Sequence, residues 1–547
     1  MKKILLLLGL MALPLSAQVL NHKQEFTKQD TLRGTNTHYR DWWDVKHYKV
    51  SVEPDFKTKS IKGYSTITFD VTKKSETNEL QVDLQAPMQI TSVEFNGKKI
   101  KAWTTDGNVV FINVGQKIKS EGNQLKLGFD GIPKEAKNPP WDGGWIFRKD
   151  EKGREWMSVA CQGLGASVWY PNKDYLGDEP DQGMELEIIT PKDLVGLGNG
   201  RLVSQKPKGN KMIYTWKVVN PINNYNIIPY IGKYVNFKDT FEGEKGTLDL
   251  DYYVLDYNLE KGKNQFEQSK SMLTSFEHWF GPYPFYEDSF KMIESPHLGM
   301  EHQSGIAYGN RFENGYLGRD LSNTGWGMKW DFIIIHEAGH EWFGNNITNK
   351  DVADMWIHEG FTSYSESLYT ESLFGKQAGS DYVIGTRASI ANEKPLIGIY
   401  GVNQEGPGDM YNKGANMIHT LRTWLNDDVK FREILRGMNK KFYHQTVTTK
   451  QIEDYLAQMS GLDLKLFFDQ YLRTNRVPLL EIKQEGKNIF YRYNHVIDGF
   501  NMPVRLVGDQ ITLYPTQEWK VLNEGKFKSS FEVEVNPNYY IDTFVIK

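Results

Sequence analysis

The chain has 547 residues, 39% of them hydrophobic and 24% charged, with a formal net charge of −4. That length exceeds one ordinary hydrophobic core and implies about three domains, and the composition is that of a globular protein. A slightly acidic balance without a concentrated basic tract argues against a nucleic-acid partner.

Met1-Lys2-Lys3 precedes an apolar run from Ile4 to Leu15, and Ser16-Ala17 follows. A basic start, an apolar stretch of about a dozen residues and a small-residue exit describe a secretory signal peptide over residues 1–17. The expectation is export to the periplasm or the exterior. The run is short for a bilayer span, so no stable membrane insertion is expected after cleavage; an uncleaved anchor is the alternative. Cys161 is the one cysteine. It allows no internal disulfide and reads as a small buried residue rather than a nucleophile.

Residues 18–240 form the first expected domain, an antiparallel β sandwich or saddle. His47 to Val52 and Tyr64 to Val71 alternate polar and apolar side chains, as half-buried strands do, and Asn96-Gly97 and Asp106-Gly107 are turn signals. The period changes near residue 260, where Gln265 to Phe280 looks helical. Residues 241–476 are therefore the second expected domain, mainly α, with Asp463 to Leu472 as its last helix. Residues 477–547 return to short strands, such as Ile489 to Tyr493 and Phe531 to Val535. The fold class is multidomain α+β.

The chemistry is concentrated in the middle domain. His336-Glu337-Ala338-Gly339-His340 is followed, after eighteen residues, by Glu359. Histidines four apart on a helix lie about 40° apart around its axis, so both imidazoles reach one metal from one face. A carboxylate from a following helix completes a two-His, one-Glu set typical of catalytic zinc, with the fourth position open to water. Glu337 is then the base that deprotonates this water. Chance supplies the pentapeptide in roughly one or two such chains per hundred, and the glutamate at the correct remove lowers that about tenfold. Trp330 to Ile335 predict a buried helix running into His336, with Gly344-Asn345-Asn346 as its stop. Gly339 costs about 1 kcal/mol of helix propensity, which a close helix contact would offset. Segment 355–374 is the second helix. Glu366 shares its face with Glu359, and is either an outer carboxylate orienting a ligand histidine or a solvated glutamate.

Together with Gly299-Met300-Glu301-His302 upstream and Tyr411-Asn412-Lys413-Gly414 downstream, this signature resembles the gluzincin aminopeptidases, peptidase family M1, in order along most of the chain. The resemblance implies a thermolysin-like catalytic domain holding one Zn2+ per chain through His336, His340 and Glu359. It also implies that Glu301 binds the free α-amino group of a peptide, Gly299 and Met300 align its backbone, and Tyr411 donates a hydrogen bond to the tetrahedral oxyanion. Gln162 stands where the family often places a Gln or Glu beside the amine. His302 replaces the usual asparagine. Its imidazole is bulkier and titrates near neutrality when unperturbed, so substrate alignment and pH response are expected to depart from the family there. Only about 70 residues follow Pro478, whereas larger members carry a long helical domain, so the cleft is either more open or covered by a partner.

The expected activity is removal of N-terminal amino acids, because only a chain end supplies the ammonium that Glu301 needs. A thermolysin-like endopeptidase on the same scaffold is the rival, and it would cleave N-terminally blocked peptides equally well. A secreted binding protein on a dead peptidase fold is the non-enzyme rival, and it should have lost a ligand, the base or the tyrosine. Nothing in the chain specifically calls for the epoxide hydrolysis found in one branch of the family.

Overall fold

The computed structural model describes residues 25–546 except 116, 509 and 523–526. The expected signal peptide lies outside the described residues. None of the described helices is long and apolar enough to cross a membrane.

Eight strands form the main sheet of the first region, in the order Arg201–Lys208, Lys211–Val218, Met184–Pro191, Trp43–Asp55, Ser60–Val71, Asn123–Gly131, Gln89–Phe95 and Lys98–Ile100. The alternating sequence sets its two faces: in Asn123–Gly131 the apolar Leu125, Leu127 and Phe129 are buried and the residues between them are not. One pair departs from the antiparallel expectation, since Trp43–Asp55 runs parallel to Met184–Pro191. Behind this sheet a four-stranded sheet contains Glu155–Ala160, whose C-terminal end delivers Cys161 and Gln162. Cys161 is buried, and its thiol points at the Tyr225 carbonyl.

The strand Tyr234–Gly243 runs through the expected boundary at residue 240. It pairs with Gly246–Leu255 and so opens the sheet of the middle region. That five-stranded sheet continues through Phe290–Glu294 and Ile306–Tyr308 to Gly299–Met300 at its edge. The helix expected over 265–280 is two helices, Leu259–Phe266 and Gln268–Phe280.

The first ligand helix is Phe332–Gly339, and Asp331 caps it by accepting from the Ile333 and Ile334 amides at 3.0 and 3.4 Å. It ends at His340 rather than at Gly344. The amides of Glu341 and Trp342 turn back three residues to Ala338 and Gly339, so the chain tightens and unwinds at once. Gly339 has the close contact its cost calls for: a Cβ there would meet Ser365 Oγ at 2.7 Å. The second ligand helix is Trp356–Phe374, stopped by Gly375 at φ 93.

Asp409–Leu425, the tyrosine helix, crosses the second ligand helix through two glycines. A Cβ on Gly414 would lie 2.8 Å from the Gly360 Cα, which is backbone and has no rotamer to move. The glycine beside Glu359 and the one after Lys413 are thus a single contact. Gly414→Ala should lower stability by about 1–3 kcal/mol through overpacking. Chemical denaturation measures this, and an unshifted midpoint would mean that the helices part without cost.

The last region pairs Lys520–Leu522, Asn488–Asn494, Leu479–Glu485 and Asp542–Ile546 in one sheet. The expected strand 531–535 is absent. Ser529 accepts from the Phe531 amide and starts a short 3-10 turn, Ser530–Glu532, leaving only Val535 bridged to Leu506. This region shares one hydrophobic core with the helices above. Among the described residues, none after Asn412 lines the central cleft.

Candidate active site

The cleft lies between the first region and the helices and encloses about 430 Å3. His336, Glu337, His340 and Glu359 meet in it, with Gly299, Met300 and Glu301 on the sheet edge, Gln162 from the first region and Tyr411 from the tyrosine helix.

The ligand atoms of His336, His340 and Glu359 lie within 4.8 Å of one another. Glu359 Oε2 stands 3.6 Å from His336 Nε2 and 3.3 Å from His340 Nε2, and among the described residues this buried oxygen has no hydrogen-bond partner. Tetrahedral ligands at metal bond lengths stand about 3.3 Å apart, so the three side chains fit a metal ion and the orphaned oxygen has a reason. Burial alone would raise the Glu359 carboxyl, but the His340 charge and the nearby imidazoles hold it far below the ordinary range. It is an anionic ligand ready for a cation.

The far nitrogens of both imidazoles are fixed. His336 Nδ1 donates to Glu366 Oε1 at 2.7 Å, and Tyr382 donates its hydroxyl to Glu366 Oε2 at 2.7 Å. His340 Nδ1 donates to the Phe343 carbonyl at 3.0 Å, which becomes reachable because the helix has just unwound. Both Nε2 atoms are therefore turned toward Glu359, where their lone pairs can serve a metal ion. Glu366 is 3% exposed and sits against His336, away from solvent.

Glu337 faces the same space without joining that triad. Burial lifts its carboxyl to about 7 against the pull of His336 and His340. A Cβ on Gly299 would come within 2.6 Å of Glu337 Oε1, so a bare backbone there leaves the carboxylate its room. Glu301 is 2% exposed. It accepts from Gln162 Nε2 at 2.5 Å and from the Tyr225 hydroxyl at 2.9 Å, while Asn345 holds its backbone carbonyl at 2.7 Å. Burial raises its pKa, against the charge of His340.

His302 corrects an expectation. It does not line the cleft; its ring is fully buried, with Nδ1 2.5 Å from the Tyr230 hydroxyl. Burial and His297 hold it well below the ordinary imidazole range, so it does not titrate near neutrality. In alternation along the strand end, Glu301 faces the cleft and His302 faces the core. Lys413 likewise points away, donating to the Thr474 carbonyl at 3.0 Å.

Tyr225, Tyr382 and the Phe343 carbonyl complete the site without any mark in the sequence. Tyr225 is 76 residues from Glu301, and Tyr382 is on a different helix from Glu366. No periodicity or local spacing links such partners.

Residues 264–471 match the Peptidase family M1 domain. The chain is 22% identical over 460 residues to the leucyl aminopeptidase of Saccharolobus solfataricus, covering 81% of this chain and 55% of that relative. It is also 22% identical over 477 residues to the mitochondrial aminopeptidase 2 of Saccharomyces cerevisiae, over 82% of this chain and 48% of that one. The chain thus spans about half the length of the curated relatives it matches. Among solved structures, a mutant M1 zinc metallopeptidase of Deinococcus radiodurans bound to a Tyr-Ser-Ala substrate superposes with a TM-score of 0.66 at 19% identity. That match covers 80% of this chain and 96% of the other, and it establishes a shared fold.

Proposed function

Because this chain carries a peptidase family M1 domain across residues 264–471, we propose that it is a zinc-dependent aminopeptidase releasing N-terminal amino acids from peptides. The observation that carries this reading is Glu301. A buried carboxylate beside the metal ligands, whose side-chain donors among the described residues are neutral, calls for a cation, and a peptide's terminal ammonium is the cation that arrives with every free chain end. An internal segment would leave that carboxylate uncompensated.

Zinc held by His336, His340 and Glu359 supplies Lewis acidity, which acidifies water and polarises a carbonyl. The chain's own residues do the rest. Gln162 and Tyr225 hold Glu301 in place for the ammonium, and the edge strand Gly299–Met300, paired on one side only, offers backbone groups to an extended peptide. Glu337 takes the proton of the attacking water and returns it to the leaving amine. The Tyr411 phenol donates to the oxygen on which charge develops. Glu366 keeps His336 in one orientation.

The test is a panel of amino-acid anilides with matched N-acetylated versions, with and without a chelator. Free-amine substrates should be cleaved, blocked ones poorly, and chelation should stop both. Glu301→Gln should lower kcat/KM on free amines about a hundredfold, the cost of a lost charge-assisted bond. Cleavage of blocked substrates as fast as free ones would establish an endopeptidase instead. The basic and apolar start of the chain supports export of this enzyme, and an intact Met1 on protein recovered from outside the cytoplasm would refute a cleaved leader.

A further inference from the structure

Among the described residues, five carboxylates line the cleft, those of Glu301, Glu337, Glu359, Glu366 and Glu405, and no lysine or arginine does. Four have roles in the reaction proposed above. Glu405 has none. Among the described residues its carboxylate makes no ion pair, and only its backbone carbonyl is engaged, by the Gln404 side chain.

Its position is defined by its own loop. Asn403, two residues before it, donates to the Gly163 carbonyl at 3.4 Å, and Gln162, one residue before that glycine, donates to Glu301. The loop of Glu405 is thus tied to the segment that carries Gln162, and both residues line the cleft that holds Glu301. The residue is exposed on the cleft wall, yet enough protein surrounds its carboxyl that burial, aided by the charge of Glu359, raises its pKa. An unpaired anion held there favours a cationic neighbour.

Resting on the aminopeptidase reading, we infer that Glu405 selects peptides whose first residue is basic, pairing with the arginine or lysine side chain of the residue to be released. The same substrate then presents two cations to the cleft, its ammonium to Glu301 and its side chain to Glu405. An uncharged first residue makes only the first contact.

The experiment compares arginine, citrulline and leucine anilides on the full chain and on Glu405→Gln and Glu405→Lys. Citrulline keeps the shape of arginine without its charge. The protein should prefer arginine to citrulline by about ten- to a hundredfold in kcat/KM, with the preference shrinking as salt rises. Glu405→Gln should bring the arginine-to-citrulline ratio near one, and Glu405→Lys should invert it. Leucine cleavage with no arginine preference, or a preference that survives Glu405→Gln, overturns this inference and leaves the aminopeptidase reading standing. Failure to cleave any free-amine anilide removes both.

Discussion

Replacing Glu337 by glutamine should leave one zinc per chain and reduce turnover by about a thousandfold or more. The side chain follows a ligand on a buried helix, and its carboxylate groups with Glu301 and His340 rather than with the set that converges on Glu359 Oε2. Metal affinity should therefore survive. Proton transfer should not, because glutamine has the shape of the acid without its basicity, and a positioned base contributes about 10²–10⁴ in rate. Burial suits the acid to both directions of transfer, since a carboxyl near 7 accepts a proton close to neutrality and still gives it up to a departing amine. Metal analysis and kcat on an amino-acid anilide read the two halves separately. Zinc retained with near-normal turnover would remove Glu337 from the chemistry, and zinc lost would make it a structural ligand.

What the sequence made legible follows from how local each interaction is. His336 and His340 are one helical turn apart, so their convergence is a consequence of helix geometry. Glu359 needed one further step, a second helix of the right period. Glu301 and Tyr411 were visible only through resemblance, since nothing in a Gly-Met-Glu or Tyr-Asn-Lys-Gly segment dictates where it lands. Tyr225 and Tyr382 were not legible at all: each hydroxyl meets its glutamate through tertiary packing. The misplaced helix end has a physical source too. Gly344 is a sound stop signal and does take a positive φ of 137, but Gly339 had already weakened the helix, and the turn after it gives His340 Nδ1 its carbonyl partner. At Phe531 to Val535, alternating side chains suited a strand, and the Ser529 cap outweighed them by satisfying a backbone amide locally.

Tyr411→Phe should lower kcat by about 10²–10³-fold while changing KM little and leaving both zinc content and stability in place. The ring is half-buried and lies beside His336, with centroids 5.9 Å apart at 26°, and the phenylalanine ring would keep that contact. Among the described residues the hydroxyl donates to no protein acceptor, so its hydrogen bond is free for a substrate oxygen. Burial, together with Glu359, Glu301, Glu405 and Glu337, pushes its pKa well above the ordinary phenol value, which keeps the proton on at any working pH. A neutral donor aimed at an oxygen that becomes anionic gains strength as the reaction proceeds, and removing such a donor costs about 2.7–4 kcal/mol of barrier. The split between kcat and KM distinguishes this from plain binding: a rise in KM at constant kcat would make Tyr411 a ground-state contact. Its aim is set at the Gly360–Gly414 crossing, three residues beyond it and one beyond Glu359. Because one backbone contact fixes the distance between a metal ligand and the oxyanion donor, Gly414→Ala should also erode kcat more than KM, even at temperatures where the protein remains folded.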